Sequence, residues 1–146
     1  MDIFNMILAA LSLGLDELYP EIPIYPEWIP EKLPQRCFLI GFAGNVDVTR
    51  ELGGRVNASG KLDITYLPPE KAAALKIKRE LNSIFSTICL QLTSIRTAEV
   101  SLRLRDHTRH DDGDELHVLC DFSTFLYPVD ETPEIKTINI DKGELK

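Results

Sequence analysis

The densest group of side chains able to do chemistry lies in residues 106–115, where two histidines stand among five acids. Imidazole and carboxylate groups are ligands that suit zinc and other divalent cations. The run lacks the glycine and glutamate spacing of a calcium loop, and the chain has no His-Glu-x-x-His motif. Asp112-Gly113 is a dipeptide typical of hairpin turns, so a solvated hairpin tip accounts for the acids. A metal-dependent enzyme or sensor that uses His107 and His110 is the alternative.

Other groups with chemical potential lack the partners that catalysis needs. His117 lies within a strand pattern, where it either pairs with Asp63 or Asp121 of a neighbouring strand or is exposed, and a structural role is expected. The glycines of GFAGN and ELGG match neither the dinucleotide fingerprint nor the phosphate loop. No histidine stands in a nucleophile signature with any of the three cysteines, Cys37, Cys89 and Cys120. The sequence therefore predicts no catalytic residue, no resident metal and no cofactor.

A local basic stripe occurs in an acidic protein. The formal net charge is −7, which repels a polyanion unless basic side chains gather on one face. No aromatic residues interleave with the arginines, as a platform for single-stranded nucleic acid would need. The stripe is expected to follow one strand face and its tip and to pair with acids of a protein partner; its members are Arg96, Arg103, Arg105 and Arg109.

Length and composition indicate one globular domain. The chain has 146 residues, of which 44% are hydrophobic and 27% charged, a balance that excludes disordered and membrane-embedded classes. The first twenty residues carry acids and are too short and too polar for a membrane span or a signal peptide. Three widely spaced cysteines predict free thiols in a reducing compartment.

The first thirty-four residues divide into a helix and a proline-rich arm. Apolar residues recur at three- and four-residue steps from Asp2 to Leu18, which predicts an amphipathic helix. Five prolines between Pro20 and Pro34 then predict an extended crossing or edge segment. Three apolar residues of this arm are candidate contacts with another subunit: Tyr25, Trp28 and Ile29.

Three segments follow in which strand patterns alternate with turn residues. The apolar run Cys37–Ala43 predicts a strand buried on both faces at the centre of the sheet. The segment Val46–Gly60, with its paired glycines, is interpreted as a long loop or hairpin tip. Strict alternation in Lys61–Leu67 predicts a half-buried strand.

The rest of the chain predicts a helix, a hairpin and a tail. Pro68-Pro69 suits the start of a second helix, whose apolar stripe contains Ala74, Ile77, Leu81, Ile84, Phe85 and Ile88. Alternating residues around 100–105 and 116–123 predict two antiparallel strands. The fold class is thus α+β, an antiparallel-rich sheet packed against two helices. One domain spans residues 1–130, and residues 131–146 form a polar tail.

Four segments in this order resemble the tail terminator proteins of phages and phage-tail-like particles of Gram-positive bacteria. They are LYPEIPIYPEWIPEKLPQRCFLIGFAG, RELGGR, KLDITYLPPE and LRLRDHTRHDDGDELHVLCDFSTFL, after the opening helix. CFLI stands where the family has a phrase like PCFFI, and DFSTFL stands in place of its aromatic-rich last strand. The resemblance covers most of residues 1–127.

The resemblance implies a structural protein of the virion without enzymatic activity or cofactor. Several copies, commonly six, would form a ring on the head-proximal end of the tail tube, stop its elongation and offer a surface for head joining. The implied partners are further copies of the chain, the tail tube protein, the sheath protein of a contractile tail and the head-side connector. DNA would only pass through the lumen, no membrane is involved, and assembly takes place in the cytoplasm of the host bacterium.

Long loops and arms that project from a small domain are expected to contact partners. The candidate interface residues lie on the proline-rich arm, in the 46–60 segment and along the last hairpin: Tyr25, Trp28, Ile29, Arg50, Arg55, Arg103, Arg105, His107, Arg109 and His110. A head–tail connector or another tail completion factor is the nearest alternative, since sequence barely separates these roles.

Overall fold

The structure is a computed structural model that describes residues 2–26, 36–69 and 73–127. Its elements are α1 (Ile3–Leu18), β1 (Ile24–Pro26), β2 (Cys37–Phe42), β3 (Asp47–Arg50), a 3-10 turn (Leu52–Gly54), β4 (Val56–Leu67), α2 (Ala74–Gln91), β5 (Ser94–Arg96), β6 (Val100–Asp112) and β7 (Glu115–Leu126). Across these residues, two helices and a mostly antiparallel seven-stranded sheet form one α+β unit, which confirms the predicted fold class.

The strand order is β1-β2-β4-β7-β6-β5, and only β1 and β2 run parallel. β4 pairs with β7 on one side, while β2 and β3 share its other side, opposite residues 62–67 and 56–59 respectively. The prediction that residues 37–43 form the sheet centre is therefore wrong. β4 and β7 hold that place because each has twelve residues, enough to pair along nearly their whole length.

α1 begins where Asp2 caps it and ends just before Pro20. The Asp2 carboxylate accepts a hydrogen bond from the Asn5 backbone N–H at 3.1 Å, which satisfies one free donor of the first turn. Of the predicted apolar stripe, Ile7, Leu11 and Leu15 are fully buried against the sheet, whereas Phe4 is exposed. The part of the proline-rich arm that the structure describes includes β1, which lies at the edge of the sheet.

α2 packs on the same face of the sheet as α1. Of its predicted stripe, Ile77, Leu81, Ile84 and Ile88 are buried, whereas Ala74 is exposed and Phe85 half-buried. The helix starts at Ala74, later than the Pro68-Pro69 pair suggests. Its buried stripe meets strand residues from β4, β6 and β7, among them Leu62, Ile64, Leu102, Leu104, Val118 and Cys120.

The opposite face of the sheet, called here the outer face, is polar and bears no described helix. Residues that alternate with the core on β4 and β7 point to it, as predicted for Lys61 and Asp63. Lys61 Nζ lies 2.7 Å from Asp121 Oδ1 across the two central strands. Neither described helix has an apolar stretch long enough to span a membrane.

The segment between β2 and β4 is a hairpin rather than a long loop. β3 pairs with the first half of β4, and a tight tip of residues 51–55 joins them. Gly53 and Gly54 both have φ of +87°, a conformation that favours glycine. The paired glycines thus mark the turn, and the longer Val46–Gly60 loop was the wrong alternative.

The last hairpin has the predicted antiparallel pairing, but its strands extend into the supposed tip. β6 and β7 pair as far as Asp112 and Glu115, so only Gly113 and Asp114 form the turn. Gly113 has φ of +63°. A bulge between Arg105 and Thr108 shifts the register, and it contains Asp106 at φ +56°. Because a bulge inserts an extra residue, it changes which side chains face each side of the sheet beyond it.

Candidate functional site

The cysteines are placed to pack rather than to react. Cys37 and Cys120 are buried and Cys89 is half-buried, and all three are free thiols. Burial raises the pKa of each thiol, and raises that of Cys120 to about 12. Since the thiolate is the nucleophile and metal ligand, these residues are poorly suited to both roles.

A partly buried polar network joins the start of β2, the end of β4 and α2. Arg36 Nε donates to the Tyr66 hydroxyl at 2.8 Å, and that hydroxyl donates to Glu80 Oε1 at 2.7 Å. Arg36 Nη2 also lies 3.3 Å from Glu80 Oε2. Sequence reasoning missed this cluster, because no local pattern joins residues so far apart in the chain.

The bulge in β6 separates the predicted arginine stripe into two groups. Arg103 and Arg105 lie on the outer face opposite Ser123 and Asp121, and Arg96 lies on the same face through its pairing with Ser101. Arg109, beyond the bulge, turns to the helix side instead. The prediction that the four arginines form one continuous stripe is therefore wrong.

Arg109 fastens the last hairpin to α2. Its guanidinium donates to both carboxylate oxygens of Asp111, at 2.8 and 3.0 Å, and to Asn82 Oδ1 at 2.6 Å. It also stacks 5.6 Å from the centre of the Phe85 ring. The hydrogen bond from Arg109 lowers the pKa of Asp111. These contacts indicate that Arg109 positions the hairpin rather than offering a free charge.

The two histidines of the 106–115 run point to different places. His107 Nε2 lies 3.2 Å from the Leu92 carbonyl oxygen, at the C-terminal end of α2. His110 faces His117 across the hairpin, with ring centres 6.1 Å apart. The structure therefore does not bring His107 and His110 into one metal centre, but it groups His110 with His117.

His117 has the partner predicted for it. Its Nδ1 atom lies 3.5 Å from Asp63 Oδ1 and 2.8 Å from the Thr65 hydroxyl oxygen. Its Nε2 atom lies 3.3 Å from Glu115 Oε1. The expected pairing with Asp63 is confirmed, and Glu115 is a further neighbour that the sequence did not single out.

The β3–β4 tip presents an apolar side chain held by a rigid polar base. Leu52 is fully exposed, the most exposed large hydrophobic residue described. Beneath it, the Glu51 carboxylate accepts hydrogen bonds from Arg55 Nε at 2.6 Å and from the Asn57 side chain. The Arg55 guanidinium also lies 4.4 Å from the centre of the Phe125 ring. These contacts link the two sides of the tip through their side chains.

A cleft of about 320 Å³ lies between the C-terminal half of α1 and β5. Leu13 and Ile95 contribute apolar surface to its walls, and Asp16 and Glu17 contribute acids. Gly14 allows α1 to pack closely against β5 at the bottom of the cleft, because a Cβ atom there would come 2.7 Å from Ile95 Cδ1. The exposed Leu13 side chain at its rim adds to the apolar surface open to a partner.

The remaining candidates are distributed as follows. Tyr25 is half-buried in β1, and Arg50 is exposed at the end of β3. Trp28 and Ile29 lie outside the described residues. The candidate set therefore occupies several surfaces rather than one pocket, an arrangement that fits contacts with large partners.

Comparison with known proteins identifies the family. The sequence profile of a phage tail terminator protein family matches residues 6–134. No curated protein is similar in sequence at a significant level. One solved structure shares 12% identity and has a TM-score of 0.49, with 86% of this chain and 97% of that chain covered. The resemblance inferred from the sequence is confirmed by the profile match: the chain belongs to a family of phage tail terminator proteins.

Proposed function

We propose that copies of this chain close into a ring on the head-proximal end of the tail tube, where the ring stops elongation and offers a surface for head joining. Membership of the tail terminator family supports this function. A closed ring requires each copy to carry two different, complementary surfaces. The fully exposed Leu52, on a tip fixed by Glu51 and Arg55, is the observation that carries the proposal.

The β3–β4 tip is the first of these surfaces. A leucine side chain gains about 1.5–3 kcal/mol when it moves from water into an apolar site. Because the polar base already holds the tip in place, little conformational entropy is lost on docking. Arg50, exposed beside the tip, adds a positive charge.

The cleft between α1 and β5 is the second surface. Its apolar walls can accept a leucine side chain, and Asp16 and Glu17 complement the charge of Arg50. We place the β3–β4 tip of one copy in this cleft of the next copy. Such a contact joins different surfaces, so repetition around an axis gives a ring.

The outer face is left for the axial partners in this arrangement. Arg103 and Arg105 are exposed there, and His110 lies at the end of the same face. We assign these residues, together with Tyr25 on β1, to contacts with the tail tube, the sheath protein of a contractile tail or the head-side connector. DNA only passes through the lumen of this ring.

The test compares two leucine variants in assembled tails. Leu52→Glu places a carboxylate in the proposed contact, and we expect it to abolish ring density at tube ends and to give tails of uncontrolled length in electron micrographs. Leu75→Glu changes a leucine on α2 that is 63% exposed, compared with 101% for Leu52; it is the control and should keep normal tail length. Tubes are included because a ring can depend on them to form.

Three outcomes would contradict the proposal. Normal tail length with Leu52→Glu would remove the tip from the contact. Loss of termination with Leu75→Glu alone would move the contact to α2. A labelled chain located on the portal rather than on the tube end would indicate a head-side connector instead.

A further inference from the structure

Four side chains of metal-ligating type share one patch on the outer face of the β6–β7 hairpin. His110 pairs with His117, and Asp112 pairs with Glu115 in the next outer-face position. Ligand atoms of Asp112, Glu115 and His117 all lie within 4.8 Å of one another. The His110 ring is adjacent, with its centre 6.1 Å from that of His117. The β-strand register alone brings these groups together, since residues two apart on a strand share a face.

A hydrogen-bond chain on β4 fixes the orientation of His117. His117 Nδ1 lies 2.8 Å from the Thr65 hydroxyl oxygen, and that hydroxyl can donate to Asp63 Oδ1 at 3.1 Å. With a metal on Nε2, the proton of His117 is on Nδ1 and can be donated to the Thr65 oxygen. Histidines that bind metals are commonly held in this way by a neighbouring hydrogen-bond acceptor on the other nitrogen.

His117 Nε2 lies 3.3 Å from Glu115 Oε1, a separation that a proton on Nε2 or a cation close to both atoms can bridge. Asp112 adds a second carboxylate on the same side.

The ligand chemistry selects the type of cation. Calcium and magnesium take oxygen ligands almost exclusively, whereas zinc accepts imidazole and carboxylate together in four-coordinate sites. We propose that His117, Glu115 and Asp112, with His110 as the fourth ligand, form a Zn²⁺ site on the outer face of the hairpin. The site does not depend on the ring arrangement proposed above, and it ties the two strands together at the hairpin end.

The experiment measures zinc binding to the full chain by calorimetry, with elemental analysis after dialysis. We expect one Zn²⁺ per chain. His117→Ala should weaken binding by at least about tenfold, and so should the double variant Asp112→Asn with Glu115→Gln, which leaves the Thr65 contact of His117 intact. His107→Ala is the matched control, since this histidine of the same hairpin points to the end of α2 and should leave binding unchanged.

Two further measurements separate a metal site from a protonated histidine. Zinc affinity should fall as the pH is lowered, because protons compete with the metal for its ligands. Calcium and magnesium chloride at the same concentrations should not displace zinc. Absence of saturable zinc binding, unchanged affinity in His117→Ala and in the double variant, or loss confined to His107→Ala would each overturn the assignment.

Discussion

The hydroxyl group of Tyr66 connects three segments that are distant in sequence. Its ring is almost fully buried, and the hydroxyl lies between Arg36 and Glu80. Burial raises the pKa of Tyr66 well above its usual value, and the hydrogen bond donated to Glu80 raises it further, while Arg36 acts in the opposite direction. The folded protein therefore keeps this proton at a pH where an unfolded chain has lost it.

This raised pKa predicts a loss of stability in alkali. A group whose folded pKa exceeds its unfolded pKa contributes stability that is complete below the unfolded value, about 10 for tyrosine, and that disappears as the pH rises above it. The free energy of unfolding should fall with a slope of up to about 1.4 kcal/mol per pH unit from this residue. Urea unfolding followed by circular dichroism between pH 8 and pH 11 measures it.

Tyr66→Phe is the comparison that isolates the effect. The variant should be less stable at pH 8, by about 1 kcal/mol for the lost hydrogen bonds, and should show the shallower decline above pH 10. The other three tyrosines, Tyr19, Tyr25 and Tyr127, are common to both proteins and cancel. Parallel curves for the two proteins would contradict the prediction.

Single-residue roles were predictable from the sequence where they depend on local register. Strand alternation left Asp63, Asp121 or solvent as neighbours of His117, and the structure places its Nδ1 atom 3.5 Å from Asp63 Oδ1. The network of Arg36, Tyr66 and Glu80 could not be predicted, because it needs the packing of α2 on the sheet to bring its members together.

The bulge in β6 determines which side chains of the last hairpin face the outer face and which face the helices. Before it, Arg103 and Arg105 face outward; after it, His110 faces outward and Arg109 faces α2. Asp106 adopts a left-handed conformation, φ +56°, inside the bulge. This conformation is tolerated by aspartate and asparagine but strained for β-branched residues.

Changing the bulge residue should therefore change stability in a side-chain-dependent way. Asp106→Val should lower the free energy of unfolding by about 1–3 kcal/mol, because a β-branched side chain strains this backbone conformation. Asp106→Gly removes the same charge without that strain. We therefore expect it to be more stable than the valine variant by about 1–3 kcal/mol. Thermal unfolding of both variants measures the difference, and equal values would show that the bulge relaxes freely.

Elements were predictable from the sequence to the extent that periodicity and turn residues specify them. The stripe of α1 and the alternation of β4 and β7 predicted their buried residues. The bulge was not predictable, since nothing in LRLRDHTRH marks an inserted residue, and it is the reason that the arginine stripe failed. The place of β2 was mistaken because a buried strand beside the edge has the same apolar run as a central one.

The last core residue that the structure describes is Leu126. The last described backbone contact is from the Tyr127 N–H to the Glu99 carbonyl oxygen at 3.0 Å. The domain boundary at residue 130 stays a prediction.

Truncation tests that boundary. A chain that ends at residue 130 should unfold at the same temperature as the full chain, because it keeps the described core intact. A chain that ends at residue 121 loses Phe122 and Leu126, two buried residues, and should not fold cooperatively. Scanning calorimetry distinguishes the two chains. A large drop in melting temperature for the chain that ends at residue 130 would contradict the predicted boundary.

The placement of the three thiols bears on how a finished virion survives release. Dissolved oxygen outside a lysed cell oxidises accessible thiolates, and oxidised cysteines can cross-link neighbouring subunits or bring charge into a protein interior. Cys37 and Cys120 are buried and Cys89 is half-buried, and burial raises the pKa of all three thiols. We therefore expect the two buried thiols to stay reduced when a particle that contains this chain meets dissolved oxygen.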